Sequence, residues 1–125
     1  MKISKKAQYG LRAMVYLAKK PKQVIPLKEI SKKEKISLDF LEKIISDLEK
    51  AKLVKSKRGA FGGYCLIKPA NKITAGEIIR VLEDIVPVSC AGCQMARICS
   101  TKNVWNEVKD SLDSTLNSTK LSDLI

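Results

Sequence analysis

Apolar residues recur at helical spacing in five segments of this chain and alternate at strand spacing in one hairpin, so two rhythms lay out the architecture. Ser4 can cap a first helix in which Tyr9, Ala13, Met14, Tyr16 and Leu17 make an apolar stripe that runs to about Lys20. Pro21 to Gln23 is a polar turn, and Val24 and Ile25 are a short apolar link. Pro26 stands where a helix opens, and Leu27 and Ile30 begin a short second helix that ends near Lys35. After a brief turn closed by Ile36, Ser37 is a good N-cap, and Leu41, Ile44, Ile45 and Leu48 form the buried stripe of a third helix reaching about Ala51. Two helices with a short turn between them make a helix-turn-helix, whose second member can enter a major groove.

The period then changes. Leu53 to Lys57 and Tyr64 to Lys68 alternate like strands around Arg58-Gly-Ala-Phe-Gly-Gly63, which predicts a hairpin. Directly after a helix-turn-helix such a hairpin is a wing, with Lys55 and Lys57 placed to meet phosphates and Arg58 at the tip placed to reach a minor groove. Thr74-Ala-Gly-Glu77 has capping-box spacing and predicts a fourth helix that carries Ile78, Ile79, Val81 and Leu82 inward and ends near Asp84. Residues 86–100 keep no sustained period. A last helix from about Thr101 to Asn117 shows Val104, Trp105, Val108, Leu112 and Leu116 on one side, a stripe suited either to docking onto the domain or, the favoured reading, to pairing with its copy in a dimer. The predicted fold is mainly α with a small β-hairpin wing: a winged helix-turn-helix domain over 1–84, a cysteine-rich loop over 85–100, and a dimerisation helix with its tail over 101–125.

Charge adds a partner to this outline. The net charge is +11, and it is uneven: residues 1–72 carry 19 Lys or Arg against 6 acids, whereas residues 73–125 carry 5 against 7. A basic half followed by a near-neutral half points to a polyanion-binding module joined to one with another task, and double-stranded DNA is the leading partner. Lysines at 2, 5 and 6 lead into an amphipathic segment, and no apolar run is long enough to span a bilayer, so the expected location is the cytoplasm and no membrane is expected. Histidine is absent, which removes the commonest general base and any mixed Cys/His zinc site; an enzyme is not expected.

Three of the four cysteines lie in the ten residues Cys90-Ala-Gly-Cys93-Gln-Met-Ala-Arg-Ile-Cys99. In a reducing compartment, crowded thiols serve metal binding or redox sensing rather than a disulfide framework. Cys90, Cys93 and Cys99 suit an iron-sulfur cluster, of the 2Fe-2S or 4Fe-4S kind, with one ligand still to be supplied. Zinc is the alternative metal and a reversible disulfide the metal-free alternative; a small electron carrier would supply all four thiolates itself. Cys65 alternates with Tyr64 and Leu66 in a wing strand, where it reads as a small buried hydrophobe.

The wing motif Arg58-Gly-Ala-Phe-Gly-Gly-Tyr64 followed by the three-cysteine loop, together with Ile36-Ser-Leu-Asp-Phe-Leu-Glu-Lys-Ile44, Ile73-Thr-Ala-Gly-Glu-Ile-Ile-Arg80 and Val104-Trp105, resembles the Rrf-type winged-helix transcriptional regulators, the family of the IscR, NsrR and CymR kind. The likeness covers essentially the whole chain. It implies a homodimeric regulator, a repressor by expectation, that binds a palindromic operator and whose affinity is set by a cluster on Cys90, Cys93 and Cys99. It further implies that Ser37, Leu38, Asp39, Glu42 and Lys43 lie on or near the base-reading surface, with Lys55, Lys57, Arg58 and Tyr64 on the wing. Helical spacing agrees for three of these, since the buried stripe leaves 39, 42 and 43 facing outward. Two departures stand out. Only two residues separate Cys90 from Cys93, and Lys102 and Gln8 occupy the places where relatives keep a histidine or an aspartate ligand. Asn103, Glu107, Cys65, a partner-chain Gln8, an added thiol or water are the replacements that chemistry allows.

Overall fold

The computed structural model of the chain describes residues 2–125. Helix α1 (Lys5–Lys19) opens as predicted, with the Ser4 hydroxyl accepting from Ala7 N at 3.1 Å. Helix α2 (Leu27–Glu34) starts behind Pro26 and stops at Lys35, which takes the left-handed conformation that ends helices. Helix α3 (Leu38–Lys50) is capped by Ser37, whose hydroxyl accepts from Phe40 N at 3.2 Å. The hairpin strands β1 (Val54–Lys57) and β2 (Gly63–Leu66) pair antiparallel, Val54 opposite Leu66 and Lys57 opposite Gly63. A single 3-10 turn (Ala70–Lys72) leads into α4 (Ala75–Leu82), capped by Thr74 on Glu77 N at 3.1 Å. Residues 83–101 form the cysteine loop region, and α5 (Lys102–Ser118) precedes a closing 3-10 turn (Leu121–Leu124).

Helix α3 is the hub. Its Leu41, Ile44, Ile45 and Leu48 are fully buried, and it packs on α1, α2, α4 and β1 together. At about 1.5–3 kcal/mol per buried large aliphatic side chain, this stripe holds the recognition half of the domain rigidly to the rest. No charged or polar residue is buried among the described residues. Gly10 in mid-α1 costs helix propensity, yet a Cβ there would sit 2.0 Å from Leu82 Cδ1, so the close approach of α4 decides the residue. Surface pairs brace the packing: Tyr16 Oη donates to Glu29 Oε2 at 2.5 Å and Lys20 Nζ reaches the same oxygen at 2.8 Å, tying α1 to α2. Hydrogen bonds from Lys20 first, and then Tyr16, hold the Glu29 carboxyl below its ordinary range.

Two readings of the sequence change in the structure. Val24 and Ile25 are more than a link: Ile25 is buried and exchanges backbone hydrogen bonds with Tyr64, at 2.9 and 2.8 Å, as a one-residue third strand on the edge of the wing. Helix α4 ends at Leu82, two residues early, because Glu83 turns extended and its carboxylate accepts from Ser4 N at 2.9 Å. The Ile25 bridge explains Gly63. A Cβ at 63 would lie 2.3 Å from the Ile25 carbonyl oxygen, a collision with backbone rather than with a movable side chain. Gly63→Ala is expected to lower stability by about 1–3 kcal/mol through overpacking at this contact, read as a drop in urea midpoint.

The chain end returns to the core. Leu121 is fully buried, its N–H donates to Ile73 O at 2.8 Å, and Ala75 N donates to Thr119 O at 2.8 Å. Among the described residues no helix is long and apolar enough to cross a membrane.

Candidate nucleic-acid interface and cysteine loop

On α3 the buried stripe turns Asp39, Glu42 and Lys43 into solvent, as helical spacing requires. With Lys6, Ser46, Asp47 and Lys50 they line a shallow polar depression. Lys6 Nζ stands 2.6 Å from Asp47 Oδ2, and that contact is the main cause of an Asp47 carboxyl held below its ordinary range. Three cations against three acids leave the outer face of α3 nearly balanced in formal charge. Electrostatic attraction for a polyanion therefore has to come from the flanks. Lys28, Lys32, Lys33 and Lys35 are exposed on and beside α2, Lys55, Lys57 and Arg58 are exposed on the hairpin, and both elements pack on α3. The α2 lysines escaped the sequence reading because nothing in a one-dimensional pattern says which side of α2 meets the recognition helix.

Ser37 and Leu38 divide differently. The Ser37 hydroxyl is committed to capping α3, and Leu38 is half-buried in its first turn. On the wing, the pairing register sets the faces. Lys55 opposes Cys65 and Lys57 opposes Gly63 on one face, whereas Ser56 opposes Tyr64 on the other. Tyr64 is half-buried and packs against the core; burial first, and then the carboxylates of Glu49 and Glu42, push its hydroxyl pKa up. The tip carries exposed Arg58 and Phe61, the latter 94% exposed. Phe61 is a candidate the sequence reading did not single out, and its signal was an aromatic in a glycine-rich turn, followed directly by Gly62 and Gly63.

The cysteine loop is a run of successive turns. Cys93 N donates to Cys90 O at 3.1 Å, Ala96 N to Cys93 O at 3.2 Å, and Ile98 N to Met95 O at 3.0 Å, with Gly92 at a positive φ of 76°. Cys93 is exposed, and Cys90 and Cys99 are half-buried. Cys99 Sγ lies 3.0 Å from Thr101 Oγ1; that hydroxyl first, then the Thr101 backbone, and more weakly Lys102, lower the thiol pKa and favour thiolate. Lys102 thus stabilises sulfur charge at a position where it has no lone pair to give a metal. Three thiols fit a soft metal or cluster as donors. As folded, though, no three Cys, Asp or Glu side chains gather as a metal site among the described residues. Cys65 does not join the loop. It is half-buried rather than buried, in a groove between the wing and the end of α1. Gln8 donates its side-chain amide to Ile3 O at 2.6 Å.

Beyond the loop, α5 is docked only at its C-terminal end. Arg80 reaches Asn117 Oδ1 and stands 3.7 Å from Asp113, and Leu116 packs on the core, while Val104 and Trp105 remain 53% and 39% exposed.

The winged architecture, the wing motif and the cysteine loop are matched together by a family model for Rrf2, described as iron-dependent transcriptional regulator, over residues 3–125. The chain belongs to the Rrf2 family. It is 42% identical over 125 residues to the HTH-type transcriptional regulator CymR of Bacillus subtilis (strain 168), covering 99% of this chain and 89% of CymR. The solved structure of that protein, called the global cysteine regulator, superposes with a TM-score of 0.85, covering 99% of this chain and 95% of that one. The HTH-type transcriptional regulator IscR of Escherichia coli (strain K12 / DH10B) is 36% identical over 130 residues, covering 100% of this chain and 80% of IscR. The structure of T. potens IscR, 39% identical, gives a TM-score of 0.84 with 99% and 85% coverage. This Rrf2 protein is a mainly helical winged-helix transcriptional regulator and not an enzyme.

Proposed function

We propose that this protein is a homodimeric, sequence-specific repressor whose operator affinity is set by the state of its cysteine loop. The observation that carries the proposal is the exposed apolar N-terminal half of α5, Val104 and Trp105, placed directly after that loop, on a domain whose recognition helix is flanked by exposed cations on both sides. Two wings and two α3 helices related by a two-fold axis read half-sites about 34 Å apart on one face of a palindrome. Asp39 and Glu42 accept from cytosine amino groups, Lys43 donates to guanine or phosphate, and the α2 and wing lysines supply the sequence-independent attraction. Ser37 positions α3 through its cap, Tyr64 braces the wing against the core, and Arg58 enters the minor groove.

The sensing reading is an iron-sulfur cluster, 2Fe-2S or 4Fe-4S, held by Cys90, Cys93 and Cys99. Its support is the thiol donor set, the lowered Cys99 pKa and the iron-dependent description of the family. When bound, such a group supplies a centre reactive toward oxidants and nitric oxide. What the chain itself contributes is the connection. Glu83, at the head of the loop, holds Ser4 N at the start of α1, and Thr101, at its end, begins the dimer helix. Rearrangement of residues 86–100 thereby pulls on both the DNA-binding domain and its two-fold partner. A second reading is a disulfide switch among these thiols with no metal, supported by the lowered Cys99 pKa and the exposure of Cys93. Zinc on the same thiols is the structural alternative, and it gives no visible absorption.

Anaerobically purified protein, titrated onto a palindromic operator at several salt concentrations, tests the regulator reading. Steep log–log salt dependence with operator preference is expected, and salt-independent or sequence-blind binding would refute it. Trp105→Glu combined with Leu112→Glu is expected to convert dimer to monomer in sedimentation, with an unchanged circular dichroism spectrum because α5 buries no residue within the chain.

A further inference from the structure

Behind the wing, on the face opposite Tyr64, lies a concavity of about 410 Å³ whose apolar floor operator recognition does not use, with Lys55 at its rim the one residue shared with the proposed DNA surface. Its floor is apolar, made by Leu17 and Val24 from the α1–α2 side and by Cys65, Leu66 and Ile67 from the wing side. Four lysines, Lys20, Lys22, Lys55 and Lys68, line it, and no acidic residue does. Two of them are answered from outside the groove, Lys20 by Glu29 at 2.8 Å and Lys68 by Glu77 at 3.3 Å. Lys22 and Lys55 make no ion pair among the described residues. Ile67 is 44% exposed at this wall, apolar surface left facing water.

We infer that this groove binds a small organic anion with an apolar body, of the carboxylate or sulfonate class. Its volume falls within the range of small-ligand pockets, ~300–1,000 Å³, and apolar walls with a few convergent charges are the usual construction of such sites. A nucleic-acid backbone would satisfy the lysines but leave the apolar concavity empty, so the pairing of the two features selects an amphipathic anion. The occupant touches both sides of the Ile25–Tyr64 bridge, the contact that fixes the wing against the helix-turn-helix. Binding there biases wing position, and by linkage wing engagement biases binding there.

The probes are 1-anilinonaphthalene-8-sulfonate and its uncharged counterpart N-phenyl-1-naphthylamine, titrated onto the full chain without DNA while fluorescence and amide NMR shifts are followed. The sulfonate is expected to bind about tenfold more tightly than the neutral amine, with shifts centred on Val24, Leu66 and Ala70. Lys22→Glu combined with Lys55→Glu is expected to erase that preference, and Cys65→Phe to block both probes by filling the floor. Equal affinity of the two probes, shifts confined to Val104–Leu112, or a preference that survives the charge reversal would each overturn the assignment. A sedimentation mass that falls on the charge reversal would assign the groove to a second copy of the chain and overturn it likewise. Should Cys65→Phe fail to fold, the charge-reversal pair decides alone. Because no DNA is present, failure here leaves the regulator reading untouched.

Discussion

Arg58→Ala is expected to weaken operator binding by roughly 5- to 150-fold while leaving thermal stability unchanged. The asymmetry between these two effects follows from position. Arg58 is exposed at the wing tip between β1 and the glycine-rich turn, with no ion-pair partner within the described residues, so its removal costs the fold nothing. On DNA it is the only arginine in the wing, and guanidinium groups are drawn to the enhanced negative potential of narrow minor grooves. Operators with and without A-tracts at the wing position separate two roles: a greater loss on the narrow-groove sequence marks minor-groove readout. Equal loss on all sequences would make Arg58 a phosphate contact instead. Phe61→Ala, measured beside it, is expected to lower affinity by a smaller, several-fold factor by removing an apolar wedge at the same tip.

Cys93→Ala is expected to remove the signal dependence of DNA affinity altogether. Coupling energies of 1–3 kcal/mol are typical of regulated binding, so the wild-type protein should change affinity by about 5- to 150-fold between anaerobic and oxidant- or nitric-oxide-treated states, and the variant by less than twofold. Cys93 is the exposed thiol of the loop, so its substitution removes no core contact. Anaerobic absorption spectra assign the cause. Loss of visible bands in Cys93→Ala supports the cluster; colourless wild-type protein that still responds to oxidant, and reverses with reductant, supports the disulfide switch. A variant that keeps the wild-type response would refute the cluster and any disulfide that uses Cys93, and Cys90→Ala combined with Cys99→Ala then tests the remaining pair.

Local chemistry made most of the secondary structure legible. Ser4, Ser37 and Thr74 cap the helices predicted for them because a hydroxyl facing an unpaired N–H is a short-range interaction that tertiary structure rarely overrides. The stripe of Leu41, Ile44, Ile45 and Leu48 fixed both the buried side of α3 and, by subtraction, the outward positions of Asp39, Glu42 and Lys43. Harder to see was anything set by a partner distant in sequence. The Ile25–Tyr64 bridge joins residues 39 apart, and Glu83 ends α4 by reaching Ser4 across 79 residues. Likewise, charge counts located the basic half of the chain but not the near-neutral outer face of α3, because the sum of charges carries no direction.

By itself, then, the sequence determined the order and caps of the helices, the wing, the crowding of three thiols into one loop, and the polyanion-binding half, all consequences of spacing along a single chain. Tertiary structure alone decided which lysines flank α3, that Cys65 belongs to a lysine-lined groove, and that Thr101 and Lys102 tune Cys99. Those features depend on register and on the packing of distant segments, which fold only when the apolar stripes find one another.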